Sequence, residues 1–257
     1  ITILITLFST VMVEAQSIGL IPSPCNVLYH GGTYTLTTPL RVECYSDEMN
    51  DVMDYLSLYI PVNKVYVNGN LKLNIDDKLE YEQYRLDIYP LGVVISAGGY
   101  GGVFNGVQTL MQLMPPSIYR GDIGASVELP YCTIEDAPKY SHRGFMLDVC
   151  RTWMDKEAIK GFIDLLAYHK INFLRLHLTD DEAWRIEIES HPELAEIGGF
   201  RGGDSPIWPR YGKWNERWGG YYTKADMREI IEYARVRNIE VIPEIDMPGH
   251  MVAALAS

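Results

Sequence analysis

From Gly144 onward, short apolar runs alternate with amphipathic helical stretches, and few architectures accept that order. Residues 145–149 and 172–178 read as short buried strands. Between them, residues 155–170 set Ile159, Phe162, Ile163 and Leu166 on one helical face, with Asp155 placed to cap the first turn. Thr223 opens another helix, with Asp226 three residues on as a capping-box variant and Met227, Ile230, Ile231 and Ala234 as its apolar stripe. Residues 240–245 supply a third strand. A β-α-β-α-β order predicts a parallel sheet, because parallel neighbours need a crossover between them. That sheet is either open and doubly wound or part of a (β/α) barrel. Only 121 residues follow position 136, whereas a closed (β/α)8 barrel takes about 250. A barrel begun here is less than half built by Ser257.

The stretch before Asp136-Ala137-Pro138 has a different texture. Residues 47–60 carry Met49, Val52, Met53, Leu56 and Ile60 at helical spacing, while residues 64–75 and 84–96 read as strands. Gly98-Gly99-Tyr100-Gly101-Gly102 then leads into a helix closed by Pro115-Pro116. That run lacks both GK[ST] and GxGxxG, so it reads as a flexible turn at a helix start and not as a phosphate loop.

Composition narrows the function. Hydrophobic residues at 47% suffice for a sizeable core, and 22 basic against 34 acidic residues give a net charge of −12. An acidic surface repels phosphate, which argues against nucleic-acid binding and against a polybasic membrane-surface protein. Residues 1–13 are almost wholly apolar yet too short to span a bilayer. They read as the core of a secretory signal entered part-way, with Val13 and Ala15 as small residues before a cut. Residues 1–16 are thus expected to be a partial signal peptide and the protein to be exported. Cys25, Cys44, Cys132 and Cys150 show no metal-ligand spacing; Cys25 and Cys44 either pair or stay as buried thiols.

Polar groups gather where the strands end. The first ends in Asp148-Val149-Cys150-Arg151, the second in His177-Leu178-Thr179-Asp180-Asp181, and the third in Glu244-Ile245-Asp246, followed by Met247-Pro248-Gly249-His250. Ligand sites of parallel α/β folds lie at the carboxyl ends of strands, so these three ends converge on one site. No HExxH, HxH or HxD pair is present, which argues against a metal hydrolase. Arg and Asp together suit sugar hydroxyls, since one donates and the other accepts. Trp208, Tyr211, Trp214, Trp218, Tyr221 and Tyr222 crowd one loop, where they serve either as pyranose platforms or as loop packing.

The segment from His142 to Ile188, with HLTDD inside it, and the later PEIDMPGH resemble the family 20 β-N-acetylhexosaminidases over about residues 138–257. The resemblance implies an accessory α+β N-terminal domain over residues 20–136. It implies the first strands and helices of a catalytic (β/α)8 TIM barrel, incomplete, over residues 137–257. It makes Arg151 the grip on two sugar hydroxyls, Asp180 the first acid of a paired Asp motif, and Asp246 and His250 supports that tune the catalytic acid. His177 then packs under the site, and Arg143, at the start of its strand, is structural. The implied substrate is a non-reducing terminal β-GlcNAc or β-GalNAc, cleaved with help from its own acetamido group and without metal or organic cofactor.

Departures from the family pattern are Thr152 and Trp153 after Arg151, and Glu182 where Gln is usual. The family's adjacent catalytic Asp-Glu is not matched by Gly202-Gly203-Asp204-Ser205, by Asp47-Glu48 or by Asp181-Glu182. That pair is therefore expected beyond Ser257, and residues 1–257 alone are expected to be inactive. The alternatives are a non-catalytic carbohydrate-binding or scaffold protein on a decayed barrel, and a barrel glycosidase with two enzymic carboxylates.

Overall fold

The structure, a computed structural model, describes residues 19–207 and 215–257. The signal reading and Trp208, Tyr211 and Trp214 lie outside the described residues. Two sheets organise the chain. The first has seven strands in the order Asn26–Thr37, Ser126–Asp136, Tyr84–Tyr89, Gly92–Ala97, Leu71–Ile75, Leu40–Glu43, Val62–Val65. It is antiparallel at the Asn26–Thr37 end and parallel at the other.

Two expected strands are each split. The 84–96 run is a hairpin folding back at Pro90-Leu91, and the 64–75 run breaks at Asn68, whose φ of 58° closes a turn. Both breaks follow turn chemistry set among apolar residues: Asn68 and Gly92 take the positive φ that β-branched residues avoid. The helix expected over 47–60 is a 3-10 turn, Asp47–Met49, followed by Asn50–Ser57. The glycine run does lead into a helix, Tyr100–Gln112, but close packing explains its composition better than flexibility. A Cβ at Gly106 would sit 2.7 Å from the Ile95 side chain, and one at Gly102 would strike the Gln83 carbonyl.

The second sheet is parallel, with Phe173–His177 between Gly144–Asp148 and Glu240–Glu244. Helices Lys156–Tyr168 and Lys224–Arg235 follow the first two strands as the periodicity predicts. Ile159, Ile163 and Leu166 are buried on one, and Met227, Ile230 and Ala234 on the other. Each of these side chains other than Ala234 contributes roughly 1.5–3 kcal/mol of burial. Ile231 is off that stripe and 47% exposed, contrary to expectation. Both helices end in a left-handed residue, Lys170 and Asn238, which turns the chain into the next strand. The described strands form an open sheet, not a closed barrel.

Caps fix where these helices begin. Asp155 accepts the Ala158 amide, and Thr223 and Asp226 form a full capping box. Lys156, and then Thr223, hold the Asp226 carboxyl down at about 2. A depressed folded-state value stabilises the native state above the ordinary carboxyl range, and that gain is lost as pH falls toward 2. Asp226→Asn should therefore lower the urea midpoint at pH 6 and converge with the parent at pH 2. A gap independent of pH would contradict the linkage. Thr223→Ala should cost about 1 kcal/mol at pH 6, and less at pH 2, where its hydroxyl no longer meets a carboxylate.

The two sheets are joined by buried polar contacts. Lys170 Nζ donates to Tyr84 Oη at 2.8 Å and to Asp136 Oδ2 at 2.9 Å. Burial pushes the Lys170 ammonium below its ordinary range. Arg143 pairs with Glu82 at 2.6 Å, so its structural role is to tie the base of its strand to the first sheet. Cys25 and Cys44 are not bonded; Cys25 is exposed and Cys44 buried, each facing a main-chain carbonyl. Among the described residues no helix is long and apolar enough to cross a membrane.

Candidate active site

Parallel register places Asp148, His177 and Glu244 side by side in one row across three strand ends. Strand pairing stops there, and the next residues of each strand turn their polar groups toward one another. Asp148 Oδ1 accepts the Cys150 and Arg151 amides at 3.0 Å each, which curls the chain so that Arg151 points back over the row. The Arg151 guanidinium then pairs with Asp148 at 2.6 Å and with Asp180 at 2.6 Å. Its side chain remains 37% exposed, while that of Asp180 is 1% exposed. A cation anchored from below with open donors above is built to receive hydroxyls.

Asp180 is the hub. Oδ2 meets Arg151 and, at 2.8 Å, His177 Nε2; Oδ1 accepts the Asp181 amide at 2.6 Å and lies 3.3 Å from His250 Nδ1. Burial pushes this carboxyl up, but His177, the Asp181 amide, Glu182 and then Arg151 outweigh it and hold the group below its ordinary range. Asp180 is therefore a fixed negative charge. His177 does more than fill space, since its Nδ1 also meets Glu244 at 2.8 Å, linking two strand ends.

His250 arrives on the turn after Glu240–Glu244. Its backbone φ is 53°, an uncommon conformation for a non-glycine residue and one that recurs at functional sites. Its side chain is half exposed beside buried Asp180, so it bridges the hub to solvent. Asp246 lies on the same turn, its amide donating to Thr179 Oγ1 at 2.8 Å. All four expected residues, Arg151, Asp180, Asp246 and His250, are thus brought to one place.

Asp180, Asp246 and His250 offer ligand atoms within 4.8 Å of one another, as do Asp148, Cys150 and His177, and His177, Glu244 and Asp246. A bound cation would compete with bonds already made in each. Arg151 and His177 occupy Asp180, His177 is held at both ring nitrogens, and burial pushes the Cys150 thiol well up, where it donates to the His177 carbonyl. The chemistry this set offers best is recognition of neutral polyhydroxy groups beside a fixed carboxylate.

The aromatic loop divides. Tyr222 is 1% exposed, stacks near Trp153 at 4.8 Å and donates to the Met154 carbonyl. Trp218 carries the Arg201 guanidinium at 4.6 Å, and Tyr221 meets Phe200 edge-on. Each is a packing residue. Trp153 belongs to that packing too, whereas Thr152 is exposed. Asp204 is an exposed turn residue, and Asp47 and Glu48 sit on the first unit. Glu182 is buried, with Oε2 4.0 Å from Arg151 Nε.

Comparison with known proteins identifies the family. Residues 140–257 match the catalytic domain of glycosyl hydrolase family 20, and residues 17–137 match domain 2 of the same family. The chain belongs to glycosyl hydrolase family 20. A β-hexosaminidase of Vibrio furnissii is 34% identical over 247 residues, which is 94% of this chain and 39% of that protein. The crystal structure of a family 20 exo-β-N-acetylglucosaminidase from Vibrio harveyi in complex with N-acetylglucosamine superposes with a TM-score of 0.86 at 34% identity. It covers 92% of this chain and 37% of that one. Streptomyces plicatus N-acetyl-β-hexosaminidase in complex with Thio-NAglucal gives a TM-score of 0.81 at 41% identity, over 92% of this chain and 47% of that one. The family 20 chain thus spans less than half the length of these relatives.

Asp148 and Glu244 also lie in this row of strand ends and were not singled out from sequence as site residues. Asp148 and Glu244 carried a signal, since both are carboxylates at the ends of predicted strands.

Proposed function

We propose that this chain supplies the sugar-gripping part of an exo-acting β-N-acetylhexosaminidase, which removes terminal β-GlcNAc or β-GalNAc with retention. The observation that supports it most is the Arg151–Asp180 pair, a half-open cation seated on a buried carboxylate at a shared strand end. Arg151 would bind two hydroxyls of the terminal ring. Asp180, through His250 and with Asp246 alongside, would raise the proton affinity of a general acid, because a fixed negative charge disfavours ionising a second carboxyl nearby.

That acid and its neighbouring Asp belong, on this reading, to later strands that close the sheet into a (β/α)8 barrel. Glu182 is buried under Arg151 and cannot reach a leaving oxygen. The acetamido oxygen of the substrate attacks the anomeric carbon while the acid protonates the leaving oxygen; the same group then activates water. We further propose that the protein is exported, on the apolar character of residues 1–13.

The test uses a chain carrying the complete catalytic domain. It should hydrolyse aryl β-GlcNAc, and a thiazoline mimic of the cyclised intermediate should inhibit it far more tightly than GlcNAc does. The 257-residue chain alone should show no hydrolysis. Binding of GlcNAc by the complete domain without any turnover would favour the non-catalytic alternative.

A further inference from the structure

Arg185 is fully buried, with Arg201 among the largest side chains so enclosed in the described residues, and it forms no ion pair with a carboxylate among them. A buried cation with no anionic partner is expensive unless something else solvates it. Here that is done by four main-chain carbonyls and an aromatic face. Nε donates to Val149 O at 2.9 Å, Nη2 to Cys150 O at 2.8 Å, and Nη1 to both Gly199 O at 2.6 Å and Gly220 O at 2.8 Å. The ring of Trp153 lies 5.2 Å from the guanidinium carbon. Burial draws the Arg185 value down to about 10, still charged at neutral pH.

The carbonyls it takes are not scattered. The ladder of the first parallel strand ends at Asp148, and among the described residues no strand pairs with Val149, Cys150 or Arg151. Their three successive carbonyls are all taken by guanidinium groups, the third by Arg201 Nη2 at 2.7 Å. Gly199 and Gly220 flank the two short strands Phe200–Arg201 and Trp218–Gly219 that frame the aromatic loop. Arg185 is itself pinned by its main chain, its amide to Leu178 O and its carbonyl to the Tyr222 amide, each at 2.8 Å. Close approach of Gly219 to Nη1, 2.9 Å from where a Cβ would lie, leaves the fork no slack.

We propose that Arg185 is the positioning residue of the sugar grip: it fixes the main chain from which Arg151 projects and locks the loop flanks to that strand exit, without touching substrate. This rests on the reading of Arg151 as the residue that holds the sugar. A planar fork with five donors satisfies this geometry, and a lysine ammonium, with three donors on one atom, does not.

The experiment pairs Arg185→Lys with Arg151→Ala in the complete domain. R185K alone should raise KM for aryl β-GlcNAc about tenfold or more with a smaller change in kcat. In the R151A background it should cost almost nothing further, because the side chain it positions is gone. Fully additive losses would overturn the proposal. Arg201→Lys, which loosens the last of the three carbonyls and the Trp218 contact but not the first two carbonyls, is the milder companion and should show the same coupling, at smaller size, if R185K does not fold. Hydrogen exchange decides the positioning claim independently of hydrolysis. In R185K or R201K the amides of residues 150–153 should exchange faster, with those of Gly144–Asp148 unchanged; equal protection would refute the positioning role even in an active enzyme. Unchanged activity in R151A would instead overturn the sugar-grip reading while leaving that exchange result standing.

Discussion

Arg151→Ala in the complete catalytic domain should lower kcat/KM on aryl β-GlcNAc by roughly 2–4 kcal/mol of transition-state stabilisation, about a hundredfold. The guanidinium is seated on Asp148 and Asp180 with its outer donors open. Truncation therefore removes the donors that meet the sugar and leaves a buried carboxylate facing an empty space. Arg151→Lys should recover only part of the loss, because one ammonium cannot span two carboxylates and two hydroxyls. Steady-state kinetics, with the circular dichroism of each variant as a check on folding, measure this. Unchanged kcat/KM in a folded variant would remove Arg151 from the site.

Asp180→Asn should be at least as damaging, about 10²–10³-fold, the range seen when one preorganised hydrogen-bonding group is removed from a reacting centre. The substitution keeps the shape but removes the charge that holds Arg151, and it turns an amide toward one of the donors Arg151, His177 and the Asp181 amide. It also carries a signature in pH. Asp180 is a fixed anion in the parent, so it raises the proton affinity of a neighbouring acid. Its removal should move the alkaline limb of the kcat/KM profile to lower pH. A loss of rate with no movement of that limb would confine Asp180 to holding Arg151 and break its link through His250 to the acid.

The elements that carry the site were legible because their signals are local. Helical stripes at 159, 163 and 166 and at 227, 230 and 234 bury as their spacing requires, and Asp155 and Thr223 cap as placed. The convergence of Arg151, Asp180, Asp246 and His250 followed from one rule, that parallel strands end on the same side. What escaped was non-local. Arg185 is an arginine in a polar-looking stretch, and it is buried only because Gly199 and Gly220, 14 and 35 residues away, fold over it. The bridging role of His177 depends on register with Glu244, 67 residues on. The split strands failed for the opposite reason. Asn68-Gly69 and Pro90-Leu91-Gly92 are turn signals in plain view, outweighed by the apolar residues around them. The aromatic loop offered two uses, and Trp218, Tyr221 and Tyr222 serve packing, since an aromatic ring gains as much from a guanidinium or another ring as from a sugar face.

The central claim is that the substrate supplies its own nucleophile over a grip built from Arg151 and Asp180. The most direct measurement is the ratio of kcat/KM for aryl β-GlcNAc to that for the matching aryl β-glucoside, made on a chain carrying the complete catalytic domain. The two substrates present the same ring hydroxyls to Arg151 except at the acetamido position, so grip is shared and only the nucleophile differs. A ratio of about 10³ or more is expected, since losing a well-placed intramolecular nucleophile forfeits a large effective molarity. Comparable rates on the two glycosides would mean that the protein supplies the nucleophile itself, and would contradict the account.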